Sequence, residues 1–209
     1  MKLLLHIITT PRAEDSRTLK VTAAFLESFR KKYPHCDIDE LNVATEALPS
    51  LTVKVVYGKY VLLKGQELTD ELKAAWRDVE RHINRFLSAD AYLISTPMWN
   101  FSIPYPLKQY IDVIVQPKYL FSYTDKGVEG LVKNKKMVVI ATRGGDYSLM
   151  SPFHSYDYQE PYLRVIFGFV GITDITFIIA QPMDALGPEV QEEKIEAAKV
   201  MAINLVNSF

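Results

Sequence analysis

Three short segments concentrate the side chains capable of chemistry. The first is Thr9-Thr10-Pro11-Arg12-Ala13-Glu14-Asp15-Ser16-Arg17-Thr18, rich in hydroxyls and leading into a helix that Ser16 is placed to cap. Main-chain N–H groups at a helix start, with the positive end of the helix dipole, suit a phosphate. Thr10, Ser16 and Thr18 would add hydroxyls, and Arg12 or Arg17 a positive charge. Taken alone, the segment also reads as an ordinary capped helix start. It matches neither the G-x-G-x-x-G fingerprint nor the P-loop pattern, which argues against a dinucleotide held in Rossmann fashion and against a bound nucleoside triphosphate.

The second segment is Pro97-Met98-Trp99-Asn100-Phe101, inside Thr96 to Pro104. Three large side chains crowd a stretch that loops normally fill with small polar residues. An aromatic and thioether wall beside an amide offers a flat heteroaromatic ring both stacking and edge hydrogen bonds. Core packed under a loop, or a partner interface, would use the same residues. The third segment is Thr142-Arg143-Gly144-Gly145-Asp146. Paired glycines let the backbone approach a ligand and aim N–H groups at an electron-rich ring edge, and they equally make a simple turn.

Each of these segments follows an apolar run of strand length. Lys2 to Ile8, Ala91 to Ser95 and Lys136 to Ala141 read as buried parallel strands. Asp37 to Leu41 alternates charged and apolar residues, as near a sheet edge, and Ile172 to Ala180 is a fifth strand. Helices are expected from Ser16 to about Lys32, with Leu19, Ala23, Phe25 and Leu26 inward, and from a Thr69 cap to about Leu87. Further helices are expected over Pro104 to Ile114 and through Leu163 to Phe169, where Gly171 ends the run. A last one spans Pro188 to Val206, with Ile195, Ala198, Met201, Ala202 and Leu205 inward. Between 43 and 68, Leu51, Val55, Val56 and Tyr60 suit a short helix that Pro49 could start. Tyr119 to Tyr123 before Asp125-Lys126-Gly127 reads as an extended arm with a turn. Strands alternating with helices give a doubly wound α/β parallel sheet, whose ligands lie outside the carboxyl ends of the strands at the switch in strand order. With no linker or repeat, residues 1–209 are expected to form one domain.

Composition agrees. Apolar residues make up 48% and charged residues 23%, and 24 basic residues balance 25 acidic ones, so no footprint for nucleic acid or an anionic membrane is visible. No apolar stretch approaches the roughly 18 residues a membrane helix needs. The lone Cys36 excludes an internal disulfide framework and points to a reducing, cytoplasmic setting. His6 is expected as a satisfied core group and His35 and His82 as surface positions. No His, Cys, Asp or Glu set has metal spacing, and no serine sits in a nucleophile elbow.

At all three segments the chain resembles the FMN-dependent NADH-azoreductases, also described as NADH:quinone oxidoreductases, which have a flavodoxin-like fold. Pro97-Met98-Trp99-Asn100-Phe101 parallels the family's Pro-Met-Tyr-Asn-Phe, and Leu107 to Asp112 its next helix. Phe121 to Thr124 with Gly127 and Glu129-Gly130-Leu131 parallels its arm, Thr142-Arg143-Gly144-Gly145 its Ser-Arg-Gly-Gly, and Gly168 to Asp174 a late segment. The resemblance implies a five-stranded sheet of order 2-1-3-4-5. It implies bound FMN, NADH or NADPH as co-substrate, quinones or azo compounds as acceptors, and a homodimer with FMN near the interface. It implies phosphate contacts at Thr10 and Ser16, Arg17 and Thr18, ring contacts at Pro97 to Phe101 and Thr142 to Gly145, and Tyr123 close by, from the partner subunit. Tyr147 and His154 are candidate proton donors, because quinone-reducing relatives carry a tyrosine and a histidine after the glycine pair. The chain departs from the family in having Thr10 and Thr18 for serine and Trp99 for tyrosine. It also departs in Asp146 and in an aromatic-rich segment from Tyr147 to Tyr162. Two other classes stay open on sequence grounds: a flavodoxin-type electron carrier and a non-enzymatic protein that keeps only the fold.

Overall fold

The structure is a computed structural model that describes residues 1–209. In chain order the elements are β1 (Leu3–Ile8), α1 (Arg17–Lys32), β2 (Asp37–Asn42), α2 (Val53–Leu63), α3 (Asp70–Ser88), β3 (Ala91–Pro97) and α4 (Tyr105–Ile114). They continue with β4 (Phe121–Thr124), β5 (Gly127–Gly130), β6 (Lys136–Thr142), α5 (Glu160–Phe169), β7 (Asp174–Ala180) and α6 (Pro188–Ser208). Five strands pair in parallel in the order β2-β1-β3-β6-β7, which is the expected 2-1-3-4-5 once the β4–β5 hairpin is set aside. The order reverses between β1 and β3, where the ligand-bearing crevice of a doubly wound sheet lies.

Alternation along the central strands divides the interior into two layers. Leu5, Ile7, Tyr92, Ile94, Met137 and Val139 pack with residues of α2, α3, α4 and α5. Leu4, Leu93, Val138, Ile140 and Ile178 pack with α1 and α6. This second layer contains a polar seam: His6, Thr18, Thr22, Ser95 and Thr142 are all buried within or at the end of it.

Local signals set most boundaries. Ser16 Oγ accepts from Leu19 N–H at 3.3 Å at the start of α1, and Thr69 Oγ1 from Leu72 N–H at 3.4 Å at the start of α3. Pro49 does not start α2. Thr52 caps it instead, its hydroxyl accepting from Val55 N–H at 3.4 Å. β-Branched residues hold helical geometry there because Trp76 of α3 anchors the helix: its indole N–H donates to Val55 O at 3.0 Å, and a Cβ at Gly58 would strike its ring.

Several expected orientations differ. On α1, Ala23 is exposed and Leu19 only half-buried, while Val21, Thr22 and Phe29 are buried. The stripe is rotated because α6 packs alongside α1. On α6, Met201 is exposed and Val206 takes the inward place. His82 is not a surface group but is almost fully buried under Tyr110, with ring centroids 6.1 Å apart. Burial lowers its pKa and leaves both ring nitrogens without a hydrogen-bond partner. No helix is long and apolar enough to cross a membrane.

The hairpin β4–β5 is the expected arm, antiparallel with Phe121 opposite Gly130. It lies against the end of α5 where Gly130 meets Gly171, so closely that a Cβ on Gly130 would overlap the Gly171 backbone. Gly171 itself has φ +105°, which favours glycine.

Candidate functional site

The parallel register brings the three chemically rich segments to one edge. Ile8 lies beside Ser95 and Pro97 beside Thr142, so the chain leaves β1, β3 and β6 side by side. A cavity of about 230 Å³ opens there. Its walls include Thr10, Arg12, Ser16, Arg17 and Thr18 from the first segment, Pro97, Met98 and Trp99 from the second, and Thr142, Arg143 and Gly144 from the third. Met183 and Asp184, in the loop after β7, complete it.

On the phosphate side the amides of Arg17 and Thr18 stand at the N-terminus of the 16-residue α1. The first amides of a helix have no intrahelical partner, so they are donors for an anion. Arg12 and Arg17 bring two guanidinium groups, and Arg17 Nη1 lies 2.5 Å from Asp184 Oδ1. Thr18 Oγ1 and Thr142 Oγ1 are 2.6 Å apart and link the helix start to the end of β6. Thr10 is buried, its hydroxyl accepting from Arg12 N–H at 3.3 Å.

Trp99 to Ser102 on the ring side is a tight turn closed by two bonds, Trp99 N–H to Ser102 O and Ser102 N–H to Trp99 O, both 2.9 Å. Its central residues, Asn100 and Phe101, have φ of +46° and +69°, the left-handed region that turns of type I′ demand and that phenylalanine rarely enters. Such strain persists only where the surroundings enforce it. Here Phe101 O accepts from Tyr158 N–H at 3.0 Å, and the Phe101 ring contacts Tyr147 and Tyr156 at centroid distances of 6.2 and 5.4 Å. The amides of Asn100 and Phe101 take no partner within the chain, and neither do those of Gly144 and Gly145.

Arg143 is turned inward. Its guanidinium pairs with the buried Asp157 at 3.0 Å and donates to Gln159 Oε1 at 3.0 Å, leaving Nη2 without a partner. Gln159 in turn donates to Pro97 O at 2.9 Å, so one buried amide fastens the ring-side segment to the glycine segment. Gly144 is required by proximity, because a Cβ would lie 2.8 Å from Asp184 Oδ2. The loop after β7 is held there by Met183 N–H and Asp184 N–H, which bond Gly144 O at 3.1 and 3.0 Å.

Ten of the expected site residues therefore border one cavity. Asn100 and Phe101 flank it on the turn, and Gly145 follows Gly144 beneath the Tyr147 ring. His154 is exposed, with Nδ1 3.1 Å from Tyr147 O, and lines no part of the cavity. Tyr123 is 66% exposed on the hairpin and does not reach the cavity of its own chain. Met183 and Asp184 were missed by the sequence reasoning. Their signal was positional, since they follow the last strand of the sheet. Gln159 and Asp157 gave none, because their partners are 16 and 14 residues away or more distant still in sequence. No group of His, Cys, Asp and Glu is placed to hold a metal.

The residues present fit a phosphate joined to a flat ring: a helix start with two arginines at one end, an aromatic–thioether wall beside four free amides at the other. Comparisons agree with this geometry. Residues 1–205 match the family described as having a flavodoxin-like fold. A protein of Nitratidesulfovibrio vulgaris named FMN-dependent NADH:quinone oxidoreductase is 37% identical over 207 residues, covering 97% of this chain and 99% of the relative. A second of that name, from Rhizobium meliloti, is 39% identical over 201 residues, covering 95% of each chain. Among solved structures, an azoreductase from Bacillus anthracis superposes with a TM-score of 0.90 at 31% identity over the full length of both chains. An FMN-dependent NADH-azoreductase from the same species, solved in complex with FMN, gives 0.85 at 31% identity, covering 99% of this chain and all of the other. With the switch point, the three loops and these likenesses in hand, the chain belongs to the flavodoxin-like family that includes the FMN-dependent NADH:quinone oxidoreductases and azoreductases.

Proposed function

We propose that this protein is an FMN-dependent oxidoreductase that passes two electrons from NADH or NADPH to quinones or azo compounds. The observation that carries this is the convergence of three loops on one cavity, with cationic helix-start amides at one end and an aromatic wall with free amides at the other. FMN, when bound, supplies a two-electron carrier that donor and acceptor can meet in turn on one open face. The chain's own work is to bind, orient and tune. Arg17, Arg12 and the start of α1 would hold the phosphate, with Thr10, Ser16 and Thr18 beside it. Met98, Trp99 and the Asn100–Phe101 turn would hold the ring, and the unpartnered Gly144 and Gly145 amides would be available to a ring that gains negative charge on reduction. In this reading Tyr147, whose ring packs against Phe101, and the exposed His154 beside it would serve as proton donors to the acceptor.

One domain carries all of this, and the exposed Tyr123 and Tyr105 suit a homodimer in which the partner subunit's hairpin closes the site. A cytoplasmic location accords with the lone Cys36 and the absence of a membrane-spanning helix. The test is direct. The purified protein is expected to show flavin absorption bands that bleach on anaerobic addition of NADH and return on addition of a quinone, with parallel lines in initial-rate plots. A flavin that NADH leaves oxidised would indicate an electron carrier instead. A colourless protein that takes up no FMN would indicate a chain that keeps the fold alone.

A further inference from the structure

The buried polar seam has a direction. Thr22 Oγ1 lies 3.0 Å from the main-chain carbonyl of Thr18, an acceptor with no proton of its own, so the Thr22 hydroxyl must donate there. Its 2.7 Å contact with Ser95 Oγ is then donated by Ser95. That commits the only Ser95 proton, so the 2.8 Å contact between Ser95 Oγ and His6 Nε2 is donated by the imidazole. His6 is therefore the neutral Nε2–H tautomer, with a lone pair at Nδ1. Nδ1 has no hydrogen-bond partner, and Glu40 Oε1, at 3.8 Å, is too far to take a proton from it, so the tautomer is set by the Ser95 contact.

The relay thus runs from His6 on β1 through Ser95 on β3 and Thr22 on α1 to the carbonyl of Thr18. Thr18 is the residue whose amide faces the phosphate end of the cavity and whose hydroxyl is bonded to Thr142 on β6. All five side chains are buried, in a layer otherwise built of apolar residues (Leu, Val, Ile, Phe, Ala and Met). A hydrophobic residue at each position would pack the helix on the sheet without fixing its height. Directional bonds fix it, because each donor has one acceptor. We propose that His6 is a positioning residue: through Ser95 and Thr22 it sets the first turn of α1 so that the Arg17 and Thr18 amides meet the cofactor phosphate. This rests on the reading of the cavity as an FMN site.

The experiment compares FMN with riboflavin, which lacks the phosphate, on apoprotein of the full chain by flavin fluorescence quenching. The His6→Leu variant is expected to weaken FMN binding about tenfold, the effect of one lost buried hydrogen bond, and to leave riboflavin binding within about twofold. His6→Gln, whose amide N–H reaches the same place, is expected to restore FMN binding. Ser95→Ala breaks the relay at its middle with less change in volume and is expected to reproduce the His6→Leu result, which keeps the test available if His6→Leu fails to fold. Equal weakening of FMN and riboflavin, or unchanged FMN binding in folded His6→Leu and Ser95→Ala, overturns the proposal while the FMN site stands. Wild-type protein that binds FMN no more tightly than riboflavin overturns the phosphate site itself.

Discussion

Phe101 is the residue where the tension between stability and use is most visible. Its φ of +69° is a conformation that costs a non-glycine residue of order 1 kcal/mol, yet its ring packs on Tyr147 and Tyr156 at the cavity mouth. Phe101→Gly is expected to relieve the backbone and raise stability by up to about 1 kcal/mol, or leave it unchanged where lost packing offsets the gain. The same change should lower kcat/KM with NADH and quinone by about tenfold or more, because the ring wall loses its second aromatic. Urea unfolding and initial rates on the same preparation check both signs. A variant that is less stable by several kcal/mol would mean that the ring holds the loop rather than the ligand. The sequence showed that Phe101 belonged to an unusual loop. It did not show the left-handed turn, since neither Asn100 nor Phe101 is the glycine that marks such turns.

Among the elements, the hairpin β4–β5 depends on a contact between two backbones. Gly130 and Gly171 meet without room for a Cβ, and Val132 N–H then bonds Val170 O at 2.8 Å. Gly130→Ala is expected to lift the hairpin from the end of α5. Amide exchange over 121–130 should quicken by about tenfold or more while β1, β3 and β6 keep their protection. Uniform loss of protection would instead show the hairpin to be part of the global unit. Element existence was largely legible in the sequence because caps and breakers are local: Ser16, Thr69, Pro104 and Gly171 all stand where their chemistry requires. What was not legible was tertiary. Trp76 decides where α2 lies, α6 rotates the buried stripe of α1, and Tyr110 covers His82. The site divides the same way. Its three loops each follow a strand and carry unusual residues, whereas Gln159, Asp157 and Asp184 join it only through contacts the fold creates.

For the whole molecule, two buried histidines couple folding to pH. Burial, and secondarily the charge of Arg30, lowers the His6 pKa to about 4, and burial lowers that of His82 as well. Well above the ordinary value of 6.5, from about pH 7.5 upward, both are neutral in either state and contribute no pH dependence. As pH falls from there towards 4 the unfolded chain takes up protons that the folded chain refuses, so stability declines, and the His6 share is complete below about pH 4. That share is about 3 kcal/mol. Urea midpoints measured from about pH 7.5 down to 4.5 should fall for the wild type and fall less steeply for His6→Gln; identical slopes would remove His6 from the account.

The order β2-β1-β3-β6-β7 has a consequence for how the cofactor comes and goes. Three of the four loops that wall the site hang from β1, β3 and β6, the strands with a neighbour on both sides, and only the Met183–Asp184 loop follows an edge strand, β7. The mount is thus the most deeply embedded part of the protein, and the loops themselves are surface. A ligand held in this way can be stripped and replaced while its socket stays intact, much as a lamp is changed without rewiring the ceiling. Reconstitution with ring-modified flavins should therefore succeed without refolding.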